Sequence, residues 1–399
     1  MLQTMYARTY QQIMRGAMYA LPWRKPMLLT GENSINKLPN VLKSQHVQRL
    51  LIVTDEGMMQ TGLLDPLLMQ LTEAHIAYVL YTKTEPNPTI AQVEEAYALY
   101  NEESCDSLLA FGGGSPIDCA KGVGARVANP TKSIARMKGI LKVRKKLPLL
   151  IAIPTTAGTG SEVTLAAVLS NRETFEKYAL KDPALIPHIA VLDPLLTEKL
   201  PPHLTATTGM DALTHAIESY IGSSNTAETK RCAEEAIKLV FRYLPRAYDD
   251  GSDLEARSYM QYASYLAGVA FTRAYVGNVH AISHALSAFY NTPHGLANAV
   301  LLPHVLTYYG EHAQKRLAEL AALVQIDGAS HAQKANSFIA AIEQMNAYMD
   351  IPRHIAGIKD EHIPHMIQRA QHEANPLYPV PQIFTYADFE AIYTTIQIN

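Results

Sequence analysis

Ser107-Leu-Leu-Ala-Phe-Gly-Gly-Gly-Ser-Pro-Ile-Asp118 is the stretch on which the fold turns. Its apolar first half has the length of a strand buried on both faces. Gly112, Gly113 and Gly114 then let the backbone approach a ligand closely, and Pro116 suits an early helical position. A strand that turns through glycines into a helix offers free N–H groups to an anion, so a phosphate suits this turn. The run departs from the G-x-G-x-x-G fingerprint, and an ordinary tight turn fits it equally well.

Working outward, similar strands recur. Arg49-Leu-Leu-Ile-Val-Thr54, Ala77-Tyr-Val-Leu-Tyr81, the apolar run 147–153 and His188-Ile-Ala-Val-Leu192 are separated by helical patterns, among them 90–100. Strands alternating with helices predict parallel pairing through crossover helices, hence a doubly wound sheet. Pro154-Thr-Thr-Ala-Gly-Thr-Gly-Ser-Glu162, a second glycine-rich loop, follows one of these strands. Its hydroxyls suit the phosphate or ribose side of a dinucleotide, and such residues also build plain polar turns. Two such loops at the carboxyl ends of parallel strands mark the crevice where doubly wound sheets bind ligands. Asp55 ends the strand that starts near Leu50, where a carboxylate either accepts from an adenosine ribose or caps the following helix. The ribose reading favours NAD over NADP, because the carboxylate repels a 2′-phosphate.

After Leu200-Pro-Pro the pattern changes to helical periodicity, and 12 of the 15 histidines lie beyond residue 200. The expected organisation is an N-terminal extension over 1–26, an α/β dinucleotide-binding domain over 27–197, and an all-helical domain over 198–399. The first segment has Met and Tyr content suited to a short amphipathic helix that packs on a neighbour.

The helical half carries the candidate metal ligands. Asp211 and His215 stand four apart, which puts them on one helix face about one turn apart. Val279-His-Ala-Ile-Ser-His284 repeats that step with His280 and His284, and His294 follows in Asn291-Thr-Pro-His-Gly295, where Pro293 suits the first turn of a new helix. Each pair alone also occurs in ordinary helical cores. Together they point to one metal ion, and nitrogen and oxygen donors suit Fe(II) or Zn(II) far better than Mg or Ca.

Composition narrows the partners. With 48% hydrophobic and 18% charged residues and a net charge of -3, the chain reads as a globular protein with no concentrated basic face for nucleic acid. The short cluster Lys142, Arg144, Lys145 and Lys146 reads as a solvated loop. Cys105, Cys119 and Cys232 are odd in number and sparse, which argues for a reducing compartment. No apolar run approaches a membrane span, and the first residues lack the hydrophobic core of a secretory signal, so a cytoplasmic location is expected.

Taken together and in order, the glycine loops, the Asp211/His215 helix, the 279–284 run and Phe289-Tyr-Asn-Thr-Pro-His-Gly295 resemble the iron-containing (group III) alcohol dehydrogenase family, over nearly the whole chain from about residue 27. The resemblance implies a Rossmann-like N-terminal domain, an all-helical C-terminal domain, and a site in the cleft between them: the dehydroquinate synthase-like fold. It implies that Asp211, His215, His280 and His294 bind one divalent metal, usually iron and sometimes zinc, with His284 close by as the active-site histidine. For the cofactor it implies Asp55, Asn87, Gly113, Gly114, Ser115, Asp118, Thr155, Thr156, Thr159 and Lys177. The implied activity is hydride transfer between NAD(H) and a short alcohol or diol, or its aldehyde, by a homo-oligomer that is at least a dimer. Phe271 and Phe289 are expected either to wall the pocket or to fill the core. Two departures stand out: Leu29-Thr-Gly-Glu-Asn33 replaces a Phe-Gly-x-Gly turn, and Arg273 stands where many members have a small polar residue. Arg273 is expected in a salt bridge; facing the cleft, it would favour an anionic or polar substrate. The rival readings are a metal- and NAD-using lyase of the dehydroquinate synthase type and a non-catalytic nucleotide-binding module.

Overall fold

The structure is a computed structural model that describes residues 2–20, 23–171 and 176–398, without the side chains of residues 2, 3, 20 and 176–178. The chain divides into two compact units, one of Pro22–Leu200 and one that joins Met1–Leu21 to Pro201–Asn399.

In the first unit, β1 (Met27–Thr30), α2 (Leu38–Ser44), β2 (Arg49–Val53), α3 (Glu56–Thr61), α4 (Asp65–Glu73), β3 (Ala77–Tyr81), α5 (Ile90–Glu102), β4 (Ser107–Gly112), α6 (Gly114–Ala128) and α7 (Ile134–Met137) follow in order. They continue through β5 (Gly139–Ile140), β6 (Leu149–Pro154), β7 (Ala166–Asn171), β8 (Glu176–Lys181) and β9 (Ile189–Leu192). Six strands form one sheet in the order β1-β9-β6-β4-β2-β3, and every ladder in it is parallel.

Alternate residues of the central strands enter two separate cores. Leu51, Val53, Leu108, Ala110, Leu150 and Ala152 pack with Val93, Ala96, Ile117 and Val123 from α5 and α6. Leu50, Ile52, Leu109, Phe111, Ile151 and Ile153 pack on the other face with Leu38, Leu42, Leu67 and Leu71 from α2 and α4. A strand exposes its side chains alternately to the two faces, and both faces are covered by helices, so each strand is apolar throughout. That is why the strands read as continuous runs.

A small sheet, β5-β8-β7, was not expected from the sequence; its β7–β8 ladder is antiparallel and β5–β8 is parallel. These strands are short or polar at their ends, below the apolar run length that marks a buried strand.

The second unit consists of α1 (Leu2–Ala20), α8 (Pro202–Ile221), α9 (Ala227–Asp249), α10 (Leu254–Ala274), α11 (Asn278–Tyr290), α12 (His294–Tyr309), α13 (Glu311–Leu323), α14 (His331–Tyr348), α15 (Ile363–Ala374) and α16 (Tyr386–Ile396). From Gly209 to Ile221, α8 is buried on every side, packed against α9, α10 and α12. A helix enclosed in this way can carry its polar residues only where they meet partners. Ala7, Gln11 and Met18 form the buried stripe of α1, the spacing of an amphipathic helix. Among the described residues no helix is long and apolar enough to cross a membrane.

Candidate metal centre and nucleotide loops

Three helices deliver the candidate ligands. α8 presents Asp211 and His215 one turn apart, α11 presents His280, and α12 opens on His294. Pro293 stands just before α12 as its cap instead of inside its first turn. Gly295 permits a close approach at this point: a Cβ there would sit 2.5 Å from the Thr207 carbonyl oxygen of α8. The first turn of α12 therefore lies directly on the α8 backbone.

Each of the four residues offers one donor atom, and all four atoms lie within 4.8 Å of one another. Asp211 Oδ1 is 3.8 Å from His215 Nδ1, 3.7 Å from His280 Nε2 and 3.6 Å from His294 Nε2. Burial alone would raise the Asp211 pKa, but the His215 and His294 rings and the His280 hydrogen bond hold it well below the usual carboxylate range. Phe271 stacks on His215 at 4.1 Å and screens that ring.

Asn298, one turn after His294, reports what the space between the donors requires. Its fully buried amide nitrogen donates to Asp211 Oδ1 at 2.6 Å and lies 3.1 Å from both His280 Nε2 and His294 Nε2. Its Oδ1 is buried with no hydrogen-bond partner. An electropositive NH2 group thus stands where lone pairs converge, which is the environment a cation needs. The set of three nitrogens and one oxygen fits Fe(II) or Zn(II).

Glu218, two turns along α8 from Asp211, backs the centre. Its carboxylate accepts from Gly277 N at 2.8 Å, from Val279 N at 2.7 Å and, at 2.6 Å, from His280 Nδ1. The His280 ring is thereby held with Nε2 toward the other donors. Sequence reasoning missed Glu218 and Asn298, although both continue the helical face of a named ligand.

His284 lies beside the cluster and stacks on His294 at 5.1 Å. Its Nδ1 is 2.6 Å from Glu373 Oε1, and the Tyr378 hydroxyl donates to the same oxygen at 2.7 Å. Glu373 was also missed. It stands on α15, 89 residues from His284, and no local pattern joins the two.

In the first unit the nucleotide candidates other than Asn87 and Lys177 gather in the segments that follow β2, β4 and β6, which are neighbours in the sheet. The chain passes from β2 to β3 on one side and then to β4 on the other, which makes this the switch point of the sheet. Gly112, at φ 143, is in a conformation that glycine alone adopts readily. Gly113 caps α6 and Gly114 and Ser115 open it. Thr155 N donates to Gly112 O at 3.0 Å, tying the two loops together, while Thr155 Oγ1 donates to the Met58 sulfur. The Thr156 side chain stands beside Gly113, and the Thr159 side chain beside Gly114. Asp55 caps α3 by accepting from Met58 N at 2.8 Å. Asn87 adopts the left-handed conformation, φ 57, just before the capping box of α5.

Asp118 accepts from Ser161 Oγ at 2.6 Å and from Val168 N at 2.9 Å. Its carboxylate therefore braces the second loop. Lys177 lies in β8 and its side chain falls outside the described residues. Arg273 pairs with Glu228 at 2.8 Å. Phe289 lines a small cavity with His365, Gln368, Arg369 and His372.

Known proteins share this architecture. The profile described as "Iron-containing alcohol dehydrogenase" matches residues 26–194, and that of the "Fe-containing alcohol dehydrogenase family, C-terminal" matches 205–397. The 1,3-propanediol dehydrogenase of Klebsiella pneumoniae is 40% identical over 351 residues, covering 86% of this chain and 90% of its own. The solved alcohol dehydrogenase of Oenococcus oeni superposes with a TM-score of 0.90 at 34% identity, covering 94% of this chain and 100% of its own. The sulfoacetaldehyde reductase of Bifidobacterium kashiwanohense, solved with NAD+, superposes at 0.83 with 28% identity, covering 94% of this chain and 98% of its own.

Proposed function

The chain belongs to the iron-containing alcohol dehydrogenase family and is a metal-dependent, NAD-using alcohol dehydrogenase; from that premise we propose that it interconverts short alcohols or diols with their aldehydes, with Asp211, His215, His280 and His294 holding the metal. The observation that carries the assignment of ligands is the convergence of their four donor atoms, three of them within hydrogen-bond reach of the Asn298 amide nitrogen.

A divalent ion held by Asp211, His215, His280 and His294 would supply the Lewis acidity that favours loss of an alcohol proton near neutral pH. NAD supplies the hydride acceptor. The protein's own residues do the rest. Asp211 contributes the negative charge that offsets the cation. Glu218 fixes the tautomer of His280 through Nδ1. Glu373 engages Nδ1 of His284, which leaves His284 Nε2 as the nitrogen that takes up the alcohol proton. In the nucleotide unit, Gly113, Gly114 and Ser115 offer the α6 N-terminus to the pyrophosphate, Thr155, Thr156 and Thr159 line the second loop, and Asp55 meets the ribose, with Asn87, Asp118 and Lys177 at the margins of the site.

The enzyme works in a reducing cytoplasm as a homo-oligomer, a reading supported by a cysteine content of only three and by the exposed Met5, Tyr6 and Ile13 on α1. The test is NADH formation on a panel of short alcohols and diols by anaerobically purified protein, as isolated, after chelation, and after adding back Fe(II) or Zn(II). Chelator-sensitive turnover restored by one metal is expected. Bound nucleotide without net NADH under either metal would overturn the reading in favour of a lyase or a binding module.

A further inference from the structure

Residues 376–382 form a proline-rich loop with an unusual backbone problem. Pro376, Pro379 and Pro381 have no N–H, so the loop carries many carbonyls and few donors of its own. Val380 N donates to Tyr378 O at 2.9 Å within the loop, and the other donors come from outside it. Gln11 Nε2 donates to Pro376 O at 3.1 Å and to Tyr378 O at 2.7 Å. Arg8 donates to Val380 O at 2.7 Å and to Pro381 O at 2.8 Å, and also to Gln11 Oε1 at 3.0 Å, which orients that amide. From other segments of the same unit, Ser223 N donates to Pro379 O at 2.8 Å and Asn278 Nδ2 to Gln382 O at 3.2 Å.

The loop does more than close the surface. Tyr378 is buried, and its hydroxyl bonds the Glu373 oxygen that also meets His284 Nδ1. A continuous path of hydrogen bonds and covalent chain thus runs from α1 through the loop to the histidine beside the metal centre. The family profiles begin at residue 26, so Arg8 and Gln11 lie outside the part of the chain that they match, whereas the loop and both ends of the Glu373–His284 pair lie inside it.

We propose that α1 is a positioning strap: Arg8 and Gln11 fix the 376–382 loop so that Tyr378 keeps Glu373 on His284 Nδ1. Both are positioning residues, since neither touches the reacting atoms. The inference rests on the role assigned to His284 above, and its test separates the two.

The test uses the full-length, metal-reconstituted enzyme carrying Arg8→Met with Gln11→Met, which keeps the packing stems and removes the donors. kcat is expected to fall about tenfold, part of what a well-placed proton acceptor contributes. Bound metal and the KM for NAD are expected to stay unchanged, and Arg8→Lys with native Gln11 should recover most of the loss. In a Tyr378→Phe background the same double substitution should lower kcat by less than about twofold, because the path is already cut. In metal-free protein, hydrogen exchange at the Tyr378 and Val380 amides should accelerate. If the double variant does not fold, Gln11→Met alone is measured against the same criteria. An undiminished kcat, a full second loss on top of Tyr378→Phe, or loss of metal in proportion to activity would each overturn the strap. A wild-type enzyme that never forms NADH would instead strike the proposed function, and the exchange measurement would still decide whether α1 holds the loop.

Discussion

Glu218 Oε2 lies 2.6 Å from His280 Nδ1, on the far side of a ring whose Nε2 is 3.7 Å from Asp211 Oδ1. One buried carboxylate thus fixes a ring that another carboxylate faces. Glu218 also accepts the Gly277 and Val279 N–H groups that open α11. Glu218→Gln cannot accept all three bonds, since its NH2 is a donor. Metal affinity is expected to fall about 10- to 100-fold, the usual cost of losing such a partner. Competition against a chromophoric chelator measures it, and an unchanged affinity would show that the bond is incidental to metal binding.

Metal uptake should depend on pH through the same ring. Burial lowers the His280 pKa, but hydrogen bonds and charge from Asp211 and Glu218 outweigh it and raise it from 6.5 to about 9. Because the folded value is the higher one, the stability from the protonated ring is fully present below about 6.5 and is lost as pH rises through about 9. Below that pH an incoming cation must displace the proton. Apparent affinity should therefore weaken as pH falls from 9 to 7, by up to about tenfold per unit from this group, with proton release on binding. Calorimetry in buffers of different ionisation enthalpy counts those protons; none released at pH 7 would refute the assignment.

What could be read from the sequence followed from periodicity. The central strands are buried on both faces, so their apolar runs are unbroken and visible, and the i, i+4 steps of Asp211/His215 and His280/His284 survive because helices preserve local spacing. Glu218 and Asn298 obey the same rule but are residue types common on any helix, so spacing alone did not single them out. The Glu373–His284 pair and the α1 contacts with 376–382 join segments far apart in sequence. Only tertiary packing creates them. The small β5-β8-β7 sheet escaped notice because β5 has only two residues and β7 and β8 carry polar residues, so none presents an unbroken apolar run.

Asp55 caps α3 and, in the proposed reading, also meets the ribose of the nucleotide; one substitution separates the two. One carboxylate oxygen caps α3, while Oδ2 stands 3.5 Å from where a Gly112 Cβ would project, beside the first glycine loop. Asp55→Asn keeps a good cap and removes the charge. Preference for NADP relative to NAD should rise on the order of tenfold, the size of a repulsion of about 1.4 kcal/mol. The ratio of kcat/KM values for the two nucleotides reads this, and an unaltered ratio would leave Asp55 as a cap alone.

Lys121 is fully buried in the nucleotide unit, where it donates to Ser161 Oγ, Thr164 Oγ1, and the carbonyls of Thr164 and Ala166, with Asp118 3.9 Å away. Lys121→Met strands those acceptors and should cost about 2–4 kcal/mol. Burial lowers the Lys121 pKa from 10.5 to about 8 and raises that of Glu162 from 4.5 to about 7. For Glu162 the folded state holds the extra proton, so stability is lost as pH rises from 4.5 to 7. For Lys121 the unfolded state holds it, so stability is regained as pH rises from 8 to 10.5. These two groups together place a shallow minimum between about 7 and 8. Trp23, the single tryptophan, belongs to this unit, so its fluorescence during urea unfolding reports on it. Lys121→Met should flatten the alkaline rise and Glu162→Gln the acidic fall, each leaving the other limb in place. Limbs that both persist in both variants would mean that other groups govern the pH dependence of this unit.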